Sequence, residues 1–564
     1  MSRCWLAPFA LLLSAVFSFA EALPLQSPAD RNQARQQQER VLQEQRQRLQ
    51  ELQQLPGTLP SAPAQAPVDE RCIEVRSIRL LGASLIDVPA RVRLLAPYQG
   101  RCLGVAQLNE LLKSVTQFYL DRGYVTSRAY LPEQDLSDGE LDIQVVEGRF
   151  EGFDSSSIAS DLELAMIAPS QAGELLNLRA LEQAVDQLGR LPSRPAQLEL
   201  VPGSELGGSR VQLKGEPLTP WRVGLNRHND GEQSTGEQQW GASLEWDSPL
   251  GLADQLVLRG GGDTVSDHWR HSADQSLYYS LPYGWWTFSY SYSQSYYRTL
   301  NETNDFAFET DGESKSQQFR GERVLHRDSL SKTAASLGVS QVHTRNYIED
   351  SLIDVSSQRL SESQLGFNHG RRIGNAFVNL DLGWQQGIGG WDAQREGDAH
   401  GRQPVARYNK YSLTFSYLQP FQLWGESFSF DSLINGQRSE DVLYSPQRIS
   451  VGGLSSVRGF KEQSLSGDSG GYWRNQLRWR RPIAWEPLRP YLQEYGLAYS
   501  YDAGVIHGDR HNPELHGRLS GHGLEFSTRG QHVAASLTLA RSLERPDILT
   551  EREHPLYFRV DLFF

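Results

Sequence analysis

The 564-residue chain is poor in sulfur, with three cysteines and two methionines. Cys4 falls in a leader-like segment, which leaves Cys72 and Cys102. Two cysteines exclude a disulfide-dense scaffold. No further His or Cys lies between them to complete a metal site, so an even pair in an exported chain reads as one structural disulfide. Past the first 22 residues no stretch approaches the ~18–20 apolar residues that a membrane-spanning helix needs. Any passage through a bilayer must therefore be made by strands. An excess of positive charge is also missing: 55 Lys and Arg stand against 68 Asp and Glu, a net charge of −13. This argues against nucleic acid as a partner. No phosphate-loop or dinucleotide fingerprint is present, and no cofactor is expected. The segment Gly467-Asp468-Ser469-Gly470-Gly471 spells a serine-protease nucleophile. It lacks the upstream His segment that the chemistry requires, and turn residues are ordinary in such a loop, so no catalytic residue is assigned and the chain is not read as an enzyme.

What is abundant is aromatic and small: 22 Tyr, 21 Phe, 13 Trp and 50 Gly. Many aromatics in a chain of modest hydrophobicity suit a barrel whose lipid-facing and lumen-facing residues alternate. Residues 1–22 read as a signal peptide, with Arg3, an apolar run from Trp5 to Phe19, and small residues near Ala20 and Ala22. Residues 23–54 hold a Gln-, Arg- and Glu-rich helix from about Ala29 to Gln54. Its thin apolar stripe (Val41, Leu42, Leu49, Leu52, Leu55) cannot bury a face in a core. Composition leaves a solvated helix, a short coiled coil and a helix inside a wet channel all open. Residues 55–71, with Pro56, Pro60, Pro63 and Pro67, are a semi-extended linker.

Residues 72–148 and 149–217 read as two small α+β domains of one β-α-α-β-β plan. In the first, Ile73–Leu81 is expected as a strand, Val105 to Tyr119 carries helical spacing, and Tyr124–Leu131 and Leu141–Val146 are strands joined through Ser137-Asp138-Gly139. Open sheet edges on such domains can bind an extended peptide. From 218 to 564 the period changes to two. Trp286, Phe288, Tyr290 and Tyr292 alternate with Thr287, Ser289, Ser291 and Ser293, and Phe558, Val560, Leu562 and Phe564 share one face. About sixteen such segments are predicted. Connections alternate between short (Leu281–Gly284, Ser527–Gln531) and long (Tyr297–Asp311, Gly387–Val405, Arg438–Gly470, Leu543–His554). The fold class is thus an all-β transmembrane barrel of sixteen antiparallel strands after two α+β domains and an N-terminal helix. The short turns lie on the periplasmic side.

The most informative constellation is Val457-Arg458-Gly459-Phe460 within the loop 438–470. Tyr495, Leu497, Tyr499 and Tyr501 share a lipid face, which turns Ser500, Asp502 and Gly504 into the lumen. An inward-folded loop would let Arg458 meet Asp502, with Gly504 leaving room; a surface arginine fits the pattern equally well. Arg474, Arg478 and Arg480 point inward from the neighbouring strand and read as a partly cationic wall. His507, His511, His516 and His522 cluster near an outer loop, but Gly508 interrupts any helical ligand spacing, and no metal site is expected.

Two blocks make the chain similar to a known family: RAYLPEQDLSDGEL from Arg128 to Leu141, continuing to Val146-Glu147-Gly148, and the run from Gly452 to Phe460 with Leu465–Asp468 and Trp473-Arg474-Asn475. They resemble the outer-membrane transporters of two-partner secretion, the haemolysin-activator and filamentous-haemagglutinin exporter type, over the whole mature chain. Tyr501-Asp502-Ala503-Gly504 fits that family's inward aspartate motif; Phe460 stands where many members have Tyr. The resemblance implies that 72–148 and 149–217 are POTRA domains and that the helix in 23–54 plugs the pore. It also implies that Val457, Arg458, Gly459, Phe460, Asp502 and Gly504 form a gating motif in which Arg458 pairs with Asp502. The implied partner is a large unfolded exoprotein (an adhesin, a cytolysin or a contact-dependent toxin) threaded outward without ATP. Outer-membrane lipid and the barrel assembly machinery, read through terminal Phe564, are further implied partners. An outer-membrane insertase or a passive porin are the alternative readings.

Overall fold

A computed structural model describes residues 27–55, 72–154, 158–266, 268–302, 306–394, 404–508 and 516–564. The expected signal segment 1–22, and the linker 55–71 apart from Leu55, lie outside the described residues. The chain begins with one helix, Pro28–Gln53. The Ser27 hydroxyl caps it by accepting from the Asp30 amide at 3.2 Å, and Pro28 occupies the first turn, where no amide is needed. At 1.5 Å per residue it is about 39 Å long, enough to run through a bilayer-thick barrel. Among the described residues no helix is long and apolar enough to cross a membrane.

In the first small domain the strand expected over Ile73–Leu81 is broken. Cys72–Val75 pairs with Arg101–Gly104, while Ser77–Leu81 runs parallel to Glu140–Val146. The break is local chemistry: the amides of Arg76 and Ser77 both turn to the Gly139 carbonyl, at 2.8 and 3.3 Å. The expected strand Tyr124–Leu131 shrinks to Arg128–Tyr130. Helix Val105–Leu120 lays Leu111, Val115 and Tyr119 on Leu141, Ile143 and Val145. The second helix of the plan, for which the sequence marked no residues, is Val88–Leu95. The Cys72–Cys102 disulfide, Cα atoms 5.3 Å apart, ties the first strand to its partner. Glu147 closes the domain by accepting from the Ser84 and Leu85 amides (2.7 and 3.2 Å), the Ser84 hydroxyl (2.6 Å) and the Tyr119 hydroxyl (2.7 Å).

The second domain repeats the plan. Strands Arg149–Phe153 and Gln197–Pro202 flank Gly208–Lys214, and helices Asp161–Ile167 and Leu178–Gly189 cover one face. Its core (Ile167, Leu176, Leu188, Leu191, Val211) takes in Ala253 from a barrel turn. The two bodies are hydrogen-bonded as well: Gln187 donates to the Gly284 carbonyl at 3.2 Å, Arg190 to the Ala253 carbonyl at 3.1 Å, and the Ser193 amide to Asp247 at 3.0 Å.

Among the described residues sixteen antiparallel strands close a barrel, from Trp221–His228 to Leu556–Phe563, which pair with each other through Gly224↔Phe563 to His228↔Arg559. Alternation holds along each wall; Trp473, Leu477, Leu497 and Tyr499 are exposed on the outer face while Ser500 and Asp502 are buried inside. The turns beside the small domains are short, as between Tyr283 and Trp286 or Arg529 and Val533. The long connection expected over Tyr297–Asp311 is instead mostly strand. Trp286–Glu302 and Ala307–Arg327 stay paired out to Glu302↔Ala307, because polar alternation persists past the membrane-facing aromatics.

Burial works against the ionised form of Glu147, but the hydroxyls of Ser84 and Tyr119 and the two amides outweigh it and hold this carboxylate below its ordinary range. A depressed folded value stabilises the domain above the unfolded pKa of about 4.3 and is lost as pH falls through the folded value. The urea midpoint of the first domain should therefore drop on acidification in the parent chain, while Glu147→Gln lowers it at neutral pH and flattens that dependence. Replacing both Cys72 and Cys102 by Ser should cost the same domain about 3 kcal/mol, read by limited proteolysis in urea, with the heat-modifiable gel shift of the barrel unchanged.

Candidate functional site

The connection between strands Glu426–Ser439 and Gly470–Pro482 does not stand out from the barrel; it folds down into it. Its base is clasped by Ser469, whose hydroxyl donates to the Ser439 carbonyl at 2.9 Å and accepts from the Ser439 amide at 3.0 Å. Asp468 accepts from Arg448 at 3.1 Å and from the Leu443 amide at 3.1 Å. The protease-like sequence is thus turn chemistry. A short hairpin, Ile449–Val451 with Leu465–Gly467, then carries the tip inward.

The tip is polar at one residue and apolar around it. Val451, Val457, Phe460 and Leu465 pack with Ile506 and Leu519 of the wall. Arg458 reaches through this small core to Asp502. Nε and Nη2 each donate to one carboxylate oxygen at 2.7 Å, and the Arg458 amide adds a third bond at 3.1 Å. The guanidinium also donates to Gln476 Oε1 at 3.2 Å and to the Asn475 carbonyl at 3.3 Å. Arg458 is 3% and Asp502 0% exposed, so the pair is desolvated and needs every one of these bonds. Close approach is paid for in side-chain volume: a Cβ on Gly504 would meet Val451 Cγ1 at 2.2 Å and Val457 Cγ2 at 3.2 Å. On the other side Gly459 lies against Gly521 and the Arg541 carbonyl, which a Cβ would approach to 2.6 Å.

Sequence reasoning marked Arg458, Asp502 and Gly504 together with their neighbours, and the structure brings all of them to one place. It missed Gly521, Tyr557 and Glu553. The Tyr557 hydroxyl reaches the Arg458 and Phe460 carbonyls at 3.2 and 3.3 Å, and Glu553 accepts from the amides of Lys461, Glu462 and Gln463 at 2.6, 3.0 and 2.9 Å. Tyr557's inward parity was readable; its loop partner was not. Among the described residues no group of three His, Cys, Asp or Glu is placed to hold a metal; His511 lies outside them.

The helix Pro28–Gln53 fills the lumen beside this loop. Its N-terminal half meets the far end, Arg31 pairing with Glu232 at 2.9 Å and Arg35 donating to the Asp230 carbonyl at 2.8 Å. Gln38 donates to the Ser450 carbonyl of the inward loop at 2.8 Å, and Leu42 touches the loop's core. Gln45 donates to Asp381 at 2.6 Å and accepts from Ser416 at 2.7 Å and Asn379 at 2.9 Å. Arg48 grips Glu322 with both nitrogens, and Lys332 bridges Glu51 of the helix (3.0 Å) and Asp186 of the second domain (3.5 Å). Besides Leu42, apolar packing lies at the end near the domains, where Leu49, Leu52 and Leu55 meet Phe377. Cavities of about 320 and 460 Å³ remain on either side of the helix.

Residues 207–528 match the family model of haemolysin secretion/activation proteins ShlB/FhaC/HecB. Residues 73–148 match the ShlB-type POTRA domain and 149–202 a POTRA domain. The outer membrane transporter CdiB of Dickeya dadantii (strain 3937) is 32% identical over 558 residues, 99% of this chain and 98% of that protein. The hemolysin transporter protein HpmB of Proteus mirabilis is 29% identical over 498 residues, 87% of this chain and 85% of HpmB. The solved structure of CdiB from Escherichia coli has a TM-score of 0.91 at 32% identity, covering 96% of this chain and all of that one. CdiB from Acinetobacter baumannii shares the fold, with a TM-score of 0.78 at 23% identity and the same coverage.

Gly504→Val should expel the loop tip from the lumen, making Lys461 accessible to trypsin while the barrel still resists heat in gel electrophoresis. Arg458→Ala strands a buried carboxylate and should destabilise the seated loop by about 3–5 kcal/mol, with Arg458→Lys intermediate in the same proteolysis assay.

Proposed function

This chain belongs to the haemolysin secretion/activation family ShlB/FhaC/HecB, outer-membrane transporters of two-partner secretion, and we propose on that premise that it binds an unfolded exoprotein in the periplasm and passes it out through its barrel without ATP. The barrel lies in the outer membrane with the POTRA domains in the periplasm, and the family is one of transporters, not enzymes. In this reading 23–54 is a plug, 55–71 its tether, 72–148 and 149–217 the client-binding domains, and 218–564 the pore, whose exposed terminal Phe564 addresses it to the barrel assembly machinery.

The observation that carries the proposal is the contrast between the two bodies in the lumen. The loop is held by a buried bidentate ion pair inside an apolar shell. The helix is held along most of its length by polar side chains that border two lumen cavities. Polar contacts that border open lumen space can be exchanged for water one at a time, so the helix can leave with only the small apolar cluster at Leu49, Leu52 and Leu55 to be uncovered. The loop remains as a fixed wall of the opened pore. Client capture is served by the sheet edges Ser77–Leu81 and Arg128–Tyr130 in the first domain and Gln197–Pro202 in the second, to which an extended chain can add. Export is then drawn outward as the client folds outside. The client is a large exoprotein of the adhesin, cytolysin or contact-dependent toxin kind; HpmB is named for a hemolysin.

Arg458→Ala and Asp502→Ala should each lower secretion of the partner severalfold with the barrel still assembled; undiminished secretion by both would remove the motif from the mechanism. Arg48→Ala combined with Lys332→Ala should raise single-channel conductance in planar bilayers by loosening the helix, and an unchanged conductance would argue against a removable plug.

A further inference from the structure

The inward face of strand Gly470–Pro482 carries Arg474, Gln476 and Arg478 at consecutive inward positions. Each presents a buried N–H donor with no hydrogen-bond partner among the described residues: Arg474 Nη1, Gln476 Nε2 and Arg478 Nε. The carboxylate facing Arg474 across the ladder is Asp502, and Arg458 already occupies both of its oxygens. Glu525 stands 4.0 Å from Arg478, beyond hydrogen-bond reach. The helix offers no acceptor in return; the nearby charge it brings is Arg46, a further cation beside Arg458, Arg474 and Arg478. The three donors are therefore buried in the resting lumen and left unsatisfied, which is unfavourable.

Residues two apart on a strand repeat every ~6.8 Å, and so do the carbonyl oxygens along one side of an extended peptide. The wall beside the three donors is low: Ser500 and Ala498 lie opposite Gln476 and Arg478, and Gly523 lies opposite Ser500. We propose that Arg474, Gln476 and Arg478 form a track for an extended polypeptide, receiving its backbone carbonyls and, more strongly, its Asp and Glu side chains as it passes. The proposal rests on the reading of the lumen as the client's path. It adds a chemical preference: acidic extended segments are held at this wall, and an entering chain gains bonds there that the plug cannot make.

The test uses the full-length chain carrying Arg48→Ala and Lys332→Ala in planar bilayers, probed from the periplasmic side with an unstructured Gly–Ser peptide and with the same peptide carrying several Glu. Adding Arg474→Gln and Arg478→Gln should weaken block by the Glu peptide roughly ten-fold or more, the loss of charge-assisted hydrogen bonds, and block by the neutral peptide less. Gln476→Leu, which removes a donor but no charge, should weaken block by the neutral peptide and covers the case in which the double replacement does not assemble. Arg259→Gln with Arg320→Gln removes the same charge elsewhere in the lumen and should leave block near the parent value. Unchanged block without the three donors, or an equal loss in this last pair, would overturn the track while leaving the exporter reading intact. A parent channel that shows no added conductance would sink the removable plug and the track together.

Discussion

The seated loop depends on one desolvated ion pair. Arg458 and Asp502 meet where neither has water to fall back on, so the free energy of the pair is set by how completely its lone pairs and N–H groups are used. Three donors on the carboxylate and two further acceptors for the guanidinium meet that demand. Around this centre the apolar shell of Val451, Val457, Phe460, Ile506 and Leu519 excludes water, and the glycines at 459, 504 and 521 allow backbone to lie against wall. The loop then becomes a surface that the helix can rest on through Gln38 and Leu42.

The helix is held on opposite terms. It is too polar for a core and too long for a loop, and it finds in the lumen Ser, Asn, Asp, Glu and Lys side chains that pair with its Gln45, Arg48 and Glu51. Its periplasmic end is linked through Lys332 to Asp186, and the same domain is welded to the rim by Ala253, Gln187 and Arg190. On the proposed reading, a stopper that leaves and returns is held by many polar contacts beside the lumen cavities, and the wall loop by a few contacts in an apolar shell.

Most of the barrel was legible because its signal is local. A period of two with aromatics on one face identifies a lipid-facing strand wherever it occurs, and Trp286–Tyr292 or Tyr495–Tyr501 needs no knowledge of its partners. The motif residues were marked too, since an arginine flanked by Val, Gly and Phe is unusual at a surface loop tip, but the pattern left a surface arginine equally open. What escaped was set by contacts distant in sequence. The division at Arg76 follows from a carbonyl at Gly139, the paired stretch out to Glu302 and Ala307 from register with a neighbour, and the roles of Tyr557 and Glu553 from where the loop tip came to lie.

By itself, then, the amino-acid order determined that this chain crosses a membrane as strands, that two small α+β domains precede them, and that a polar helix comes first, because alternation, helical spacing and charge are properties of neighbours along the chain. Whether that helix floats, coils with another or sits in the pore was decided only by the closed barrel, which sets Glu322, Asp381 and Lys332 around one cylinder. Whether Arg458 is a surface arginine or the pin of an inward loop was likewise decided there. Sequence placed the two charges 44 residues apart, and only tertiary structure could remove the water between them.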